Sequence, residues 1–321
     1  MLQYFIKRLL SMIPKVLLIT AAIFFAMELL PGDVITRSIP VEDLANLSEA
    51  EIEKLREVKG LNDPAIIRYF RWLGGLIHGD FGYSYGSGAD IGEVLATRLP
   101  ATIELSIFGL ILSTIFGIGF GFLAAVKQNS PIDYCSSFLG MVGVSVPEFF
   151  FGMLFIMLFS VNLHWLPSGG RISQADPTFW GHIKHMILPS VCLGIGLTAT
   201  LMRYTRNSML DVMNKDYIKT AREKGAPEIT VYIKHCFRNG CAPVMILLVA
   251  RLGMLISGTT VIESVFNYPG MGSLLLSSIA VKDVPVVMSI LLLVSLTTLV
   301  TIFIADFLLA FLDPRMRFGK E

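Results

Sequence analysis

The sequence predicts an all-α membrane protein of about six transmembrane helices, both termini cytoplasmic, and three observations predict it. The 321-residue chain is 54% hydrophobic, carries 22 Phe and has only 16% charged residues; its mean hydropathy is +0.66, which sets it apart from soluble domains. Six apolar windows reach the length that crossing the hydrocarbon demands, near residues 9–30, 102–126, 134–161, 187–206, 242–262 and 285–312, since lipid offers exposed backbone groups no partner. Lys and Arg sort by connection. Lys7, Arg8, Lys127, the basic residues from Arg206 to Arg238, Arg315, Arg317 and Lys320 fall on one side, against Arg171, Lys184 and Lys282 in the other short loops, which places the termini inside.

The first window follows a basic pair, Lys7–Arg8, as a signal peptide would, but it runs from about Leu9 to Leu30 without a small-residue cleavage site and ends at Pro31-Gly32-Asp33. An uncleaved first span is expected. Residues 1–30 thus form the tail and first helix, 31–100 an extracytoplasmic segment, and 101–321 a five-helix core with a cytoplasmic loop at 206–241.

Within 31–100, Ser48 and Glu51 make a capping box ahead of Ile52, Leu55 and Val58,. Asp63-Pro64 reads as a cap followed by a first-turn proline, opening a second helix through AIIRYFRWLGGLIHG,. Both helices are expected on the outer membrane surface. The GDFGYSYGSG run at Gly79 to Gly88 has no preceding strand and no following lysine, so it reads as a surface turn rather than a phosphate cradle,.

In the later windows, Gly117, Gly119, Gly121, Gly140 and Gly143 permit close helix approach, as small residues do in lipid,. Cys135, Cys192, Cys236 and Cys241 form no CxxC pair and read as structural thiols,. Ionisable residues at membrane depth are expensive and therefore candidates for function. Glu148 follows Pro147 in the third window, Arg251 lies midway along the fifth and Asp306 lies in the sixth; Arg251 is expected to pair with one of the carboxylates or to line a substrate pathway with Glu148. Glu28 and Glu104 sit near span ends and are expected to snorkel. His182 and His185 share a helical face at i, i+3, but two ligands make no metal site, and none is assigned,.

The most informative stretch is Asp216 to Pro243, DYIKTAREKGAPEITVYIKHCFRNGCAP, a charged island between two apolar runs. It is expected to split at Gly225 into two short helices, with Tyr217, Ile218 and Ala221 on one face and Ile229, Tyr232, Ile233 and Phe237 on another. Such a hairpin below the membrane either docks a soluble partner or lies on anionic lipid.

At these residues the chain resembles importer permeases of the ATP-binding cassette class, within the dipeptide, oligopeptide and nickel permease family. The general class loop reads Glu-Ala-Ala, three residues, Gly; here Lys219, Thr220 and Ala221 fill those places before Gly225, so two of the three depart from it. The family's own variant fits through Tyr217, Thr220, Ala221, Arg222, Lys224, Gly225, His235, Arg238, Asn239 and Pro243. LPGD from Leu30, GDFGYS from Gly79, LPATIELS from Leu99, VIESVFNYPGMG from Val261 and LDPRMR from Leu312 extend the likeness over nearly the whole chain. The long external segment resembles the first, B-type permease subunit.

The resemblance implies a multi-pass subunit of a bacterial or archaeal inner (plasma) membrane, paired with a second permease, two cytoplasmic ATPases and an extracytoplasmic solute-binding protein. It implies peptide transport, with nickel or a metal chelate as the alternative cargo. Tyr217, Thr220, Ala221, Arg222, Lys224, Gly225 and Ala226 would contact the ATPase, while Glu263 and Phe266 would serve an external gate or receive the binding protein. No Gly-x-x-x-x-Gly-Lys-Ser/Thr loop is present,, so the chain is expected to be no enzyme and to bind no cofactor, with ATP and Mg on the partner ATPases. A lone proton-coupled transporter with Glu148, Arg251 and Asp306 as a relay is the rival of another class, and the coupling island counts against it.

Overall fold

The structure, a computed structural model, describes residues 2–29, 48–58, 61–173 and 176–312, and of residues 2–5, 55, 58, 251–258 and 309–312 the backbone alone. The LPGD stretch, the closing residues from 313 and the side chain of Arg251 lie outside that description. The described chain is helical almost throughout. Its elements are α1 (Leu2–Leu10), α2 (Met12–Glu28), α3 (Glu49–Val58), α4 (Ala65–Ile77), α5 (Ile91–Val126), α6 (Pro131–Ser145), α7 (Glu148–Phe155), α8 (Phe179–Met213), α9 (Asp216–Glu223), α10 (Glu228–Thr230), α11 (Arg238–Val265), α12 (Met271–Ala280) and α13 (Val284–Leu312). Wider π turns extend α7 over Ile156–Asn162 and join α10 to α11 over Val231–Phe237.

The described residues of all six apolar windows are mostly helical. Among the described residues, Ile6–Glu28, Ile91–Val126, Phe179–Met213 and Val284–Leu308 are each long and apolar enough to cross a bilayer. The third window departs from expectation, because Pro131–Ser145 and Glu148–Asn162 meet at a 105° bend rather than forming one straight span. Pro147 causes it: proline has no N–H and drives the residue before it out of the helical region, and Val146 accordingly stands at ψ 131,. The fifth window lies inside the 28-residue α11.

The described residues divide into two compact units. The first takes the chain up to Thr102 together with Pro269–Val300. In it Phe24, Tyr69 and Met288 bury together with Trp72 and Leu73 against them, and Ile91, Leu95, Met271, Val286 and Ile290 form a second cluster. The Ser48 backbone N–H donates to Glu51 Oε2 at 2.8 Å, and the Glu51 N–H donates to Ser48 Oγ at 3.4 Å, so the capping box is present. The next helix begins one residue later than expected. Pro64 is its N-cap, at ψ 140, and its carbonyl accepts from the Ile67 N–H at 2.9 Å; the Asp63 carboxylate instead takes Arg71 at 2.5 Å. Glu28 does not reach for water alone, since Arg68 pairs with it.

The glycine-rich turn of this unit does cradle an anion, and the anion is the chain's own. Ser84 Oγ donates to Asp283 Oδ2 at 2.5 Å, the Tyr85 N–H to Oδ1 at 3.1 Å and the Gly86 N–H to Oδ2 at 3.1 Å. Asp283 is thereby buried with three donors around it, which is how a buried carboxylate avoids the cost of lost hydration.

The second unit takes Ile103–Tyr268 with the chain from Thr301. Here α8 is the central helix. A Cβ placed on Gly117 would stand 2.7 Å from Leu201 Cβ, and one on Gly121 would stand 2.5 Å from the Met202 carbonyl, so α5 touches α8 backbone to backbone,. Gly140 and Gly143 admit α8 side chains against α6, Met202 Cε and Ala199 Cβ each 3.0 Å from an added Cβ, whereas Gly119 meets nothing within 4 Å among the described residues. Arg206 of α8 grips Asp133 of α6 through two bonds, of 2.5 and 2.8 Å. Cys192 and Cys236 are buried as structural thiols, whereas Cys135 is exposed.

Candidate functional site: the charged hairpin between α8 and α11

Helix α8 stops at Met213, where Asn214 turns its side-chain amide back onto the Leu210 carbonyl at 3.0 Å. Lys215 is extended, at ψ 146, and Asp216 opens α9 with its carboxylate on Lys219 Nζ at 2.9 Å. An acidic first turn suits the positive helix end. Eight residues later α9 closes in a Schellman turn: the Ala226 N–H donates to the Ala221 carbonyl at 3.2 Å and the Gly225 N–H to that of Arg222 at 2.9 Å,. Gly225 sits at φ +77, where a side chain is disfavoured,. Pro227 then blocks any continuation of α9 and caps α10,.

The return limb is not the separate short helix that the sequence leads one to expect. It runs from Glu228 through the π turn directly into α11. In a π turn the hydrogen bonds close on the fifth residue, so positions five apart share a face. Val231 and Cys236 do so, both fully buried with Ile218, Met209 and Ala125. The face expected of Ile229, Tyr232, Ile233 and Phe237 is divided: Tyr232 and Phe237 pack on this cluster, while Ile229 and Ile233 are exposed. Ala221 and Ala226 pack on the same cluster, and the Phe122 and Phe237 rings meet edge to face at 5.5 Å.

The two limbs are locked across the turn. Arg222 Nε donates to Glu228 Oε1 at 2.8 Å and Nη2 to Oε2 at 3.3 Å, while the guanidinium lies 6.0 Å over the Tyr232 ring. The hydrogen bonds from Arg222 hold the Glu228 carboxyl below the usual carboxylate range, and Glu228 in turn raises Arg222,. Lys219 lowers Asp216 in the same way. The surface left facing outward comprises Tyr217, Thr220, Lys224 and Gly225 with Ile229 and Ile233, an apolar patch inside a charged rim.

The remaining candidates fall elsewhere in this unit. Glu148 is half-buried in the first turn of α7 beyond the bend, its Oε1 3.1 Å from where a Cβ on Gly196 would stand. No hydrogen-bond or ion partner reaches it among the described residues. Asp306 is half-buried on α13. Glu263 and Phe266 are fully buried, so neither side chain presents a surface, and the Phe266 carbonyl instead accepts the Gly170 N–H at 2.8 Å. Sequence reasoning missed a polar knot here. Arg171 Nη2 donates to Glu104 Oε2 at 2.7 Å and His182 also bonds Glu104, while His185 reaches the Gly169 carbonyl at 2.8 Å. Glu104 therefore does not snorkel, and its partners lie too far along the chain for local patterning to reveal them.

A set of long apolar helices from which a locked, charge-rimmed hairpin hangs defines a multi-pass membrane transport component. Profiles of known families agree: binding-protein-dependent transport system inner membrane components match over residues 117–318, and the N-terminal region of such membrane components matches over residues 1–106. The chain belongs to this family of inner-membrane permease components. It is similar to the oligopeptide transport system permease protein AppB of Bacillus subtilis, 39% identical over 99% of this chain and 100% of that one. It is also 37% identical to the glutathione transport system permease protein GsiC of Escherichia coli, over 99% and 100% of the two chains. A putative peptide permease protein of Brucella suis is 37% identical over 99% of each. Among solved structures, an inward-facing MetNI methionine ABC transporter shares the fold at TM-score 0.56 and 15% identity, over 68% of this chain and 96% of that one.

Proposed function

We propose that the chain is the B-type permease subunit of an ATP-driven importer, carrying peptides or a closely related small solute inward by alternating access. The observation that carries this reading is the hairpin: the Gly225 turn and the Arg222–Glu228 lock make it stiff, and its return limb is continuous with α11. Force applied at its tip is thus delivered to a spanning helix. Tyr217, Thr220, Lys224 and Gly225 with Ile229 and Ile233 form the contact for a cytoplasmic ATPase, which holds the ATP and Mg; Ala221, Arg222 and Ala226 shape that contact from within. The permease relatives, named for oligopeptide and glutathione transport, support a peptide cargo.

Two ATPases, a second permease and an extracytoplasmic binding protein complete the assembly, with both termini inside and residues 31–100 outside. Glu148, Arg251 and Asp306 are the ionisable groups offered to the substrate pathway. Glu263 and Phe266 act on the external gate by packing rather than by touching the receptor. ATP binding would draw the hairpins together and favour the outward-open state, as any ligand favours the conformation it binds better.

Reconstitution in proteoliposomes with the partner subunits tests this. Uptake of a peptide should need internal ATP and should persist when the proton gradient is collapsed. A cysteine at Ile229 should cross-link to the ATPase. Uptake driven by the gradient alone, or an ATPase that associates without touching the hairpin, would overturn the reading.

A further inference from the structure

The first unit carries an amphipathic helix whose apolar side is covered by nothing among the described residues. Helix α4 presents three directions. Tyr69, Trp72 and Leu73 pack on Phe24 of α2 and Met288 of α13. Arg68, Arg71 and Gly75 line a cavity of about 350 Å³ with Glu28, Asp80 and Tyr83. Ile66, Ile67, Phe70 and Ile77, a stripe at i, i+1, i+4 and i+11, are exposed, Phe70 to 63% and Ile77 to 76%,.

Two contacts fix the depth of α4 against α2. Arg68 pairs with Glu28, the last residue of α2. Tyr69 OH and Thr20 Oγ1 share a hydrogen bond of 2.9 Å, and Tyr69 OH donates to the Leu17 carbonyl at 3.4 Å. Thr20 lies eight residues before Glu28, about 12 Å along the helix axis at 1.5 Å per residue. Arg68 therefore reaches toward the outer end of α2 and Tyr69 reaches into the span. Between them the body of α4 crosses α2 at Phe24, about 6 Å below Glu28.

That level matches the depth of about 5–10 Å at which interfacial helices seat their apolar faces. The Arg68 direction points toward water, and the Ile66–Phe70–Ile77 stripe, on the far side of the helix from it, points toward the hydrocarbon. The stripe is level with exposed Phe25 of α2 and continuous in character with Leu17 and Leu18 deeper along the same helix,. A phenol at such depth has no water to bond, and the Thr20 and Leu17 contacts supply its partners.

We propose that α4 lies within the outer leaflet, its Ile66, Ile67, Phe70 and Ile77 stripe in contact with phospholipid acyl chains. The occupant is lipid rather than protein because the face is apolar without charge, continues the bilayer-facing surface of a spanning helix and sits at its depth. The proposal uses the topology put forward above only to name the leaflet.

Spin labels test it in the full chain, assembled with its partners in lipid nanodiscs after the four native cysteines are replaced. Ile67→Cys and Phe70→Cys should give an oxygen-to-nickel-chelate collision ratio several-fold above that of Tyr83→Cys, an exposed site on the turn. A ratio at Ile67 equal to that at Tyr83 would place the stripe in water and overturn the proposal. Protection from both reagents would show a protein covering it and would overturn it equally. The measurement needs no uptake, so its failure is separable from failure of the peptide-import reading.

Discussion

Arg222 and Glu228 clasp one another through two hydrogen bonds, of 2.8 and 3.3 Å, across the turn that Gly225 makes. The pair is exposed, so it contributes little to global stability; its effect is local, holding α9 against the return limb. Glu228→Gln should leave the protein folded and membrane-inserted but raise amide exchange over residues 216–228 and lower ATPase affinity. Unchanged exchange would show that the turn alone sets the hairpin.

The same pair fixes a pH response. Glu228 and Asp216 are both held below the usual carboxylate range by their cationic partners. A carboxylate lowered in the folded state contributes its stabilisation above its unfolded pKa and loses it as pH falls through the folded one. Hairpin exchange protection should therefore stay flat through neutral pH and fall only in acid below the ordinary carboxylate range. A transition near neutrality would contradict this.

Gly225 has open space around it, with nothing within 4 Å of an added Cβ, and only its φ of +77 resists substitution. Gly225→Val should cost about 1–2 kcal/mol in the left-handed region, and should abolish uptake and ATPase association. Gly225→Asn, tolerated in that region, should restore the fold of the hairpin. If it also restores ATPase binding, the turn is structural; if not, the ATPase needs the bare surface at Gly225.

Asp133 is almost wholly buried and Arg206 about a quarter exposed, so removing the guanidinium strands a buried charge. Arg206→Gln should destabilise the purified complex by about 3 kcal/mol, and Asp133→Asn by less. Thermal unfolding in detergent reads both, and the reverse order would show that the Arg206 charge is the more costly one to leave.

Pro147 sets the direction of α7. Between Phe138 and Met157 a straight helix would span about 28 Å, and the 105° bend shortens the axis-to-axis path to about 18 Å,. Spin labels at those two positions should separate on Pro147→Ala if the missing N–H and the extended Val146 maintain the bend. An unchanged distance would assign it to packing on α8.

How far these features were legible follows from what each depends on. Apolar length is what lipid demands of a spanning helix, so the windows are readable; the bend at Pro147 escapes a count of hydrophobic residues because direction is not length. The Gly225 turn is written locally, in Gly-Ala-Pro after a charged helix. The face read from Ile229, Tyr232, Ile233 and Phe237 is split because a 3.6-residue period was applied to a stretch that winds with five-residue closure, which puts Val231 and Cys236 in the core,. Glu104 with His182, 78 residues apart, meet only through the packing of α5 on α8, and no local pattern encodes them.

Asp283 fills the turn at Ser84, Tyr85 and Gly86 from 199 residues away. A glycine-rich loop that looks built for a passing phosphate is here a socket for an internal plug, closing the long excursion between α2 and α5 onto the start of the final helix. Any oxyanion in the medium competes with a tethered carboxylate that is never dilute, and will lose. Were Asp283 truncated to alanine, the same three donors would become free for sulfate or phosphate, and such salts would be expected to firm up a turn they leave untouched in the native protein.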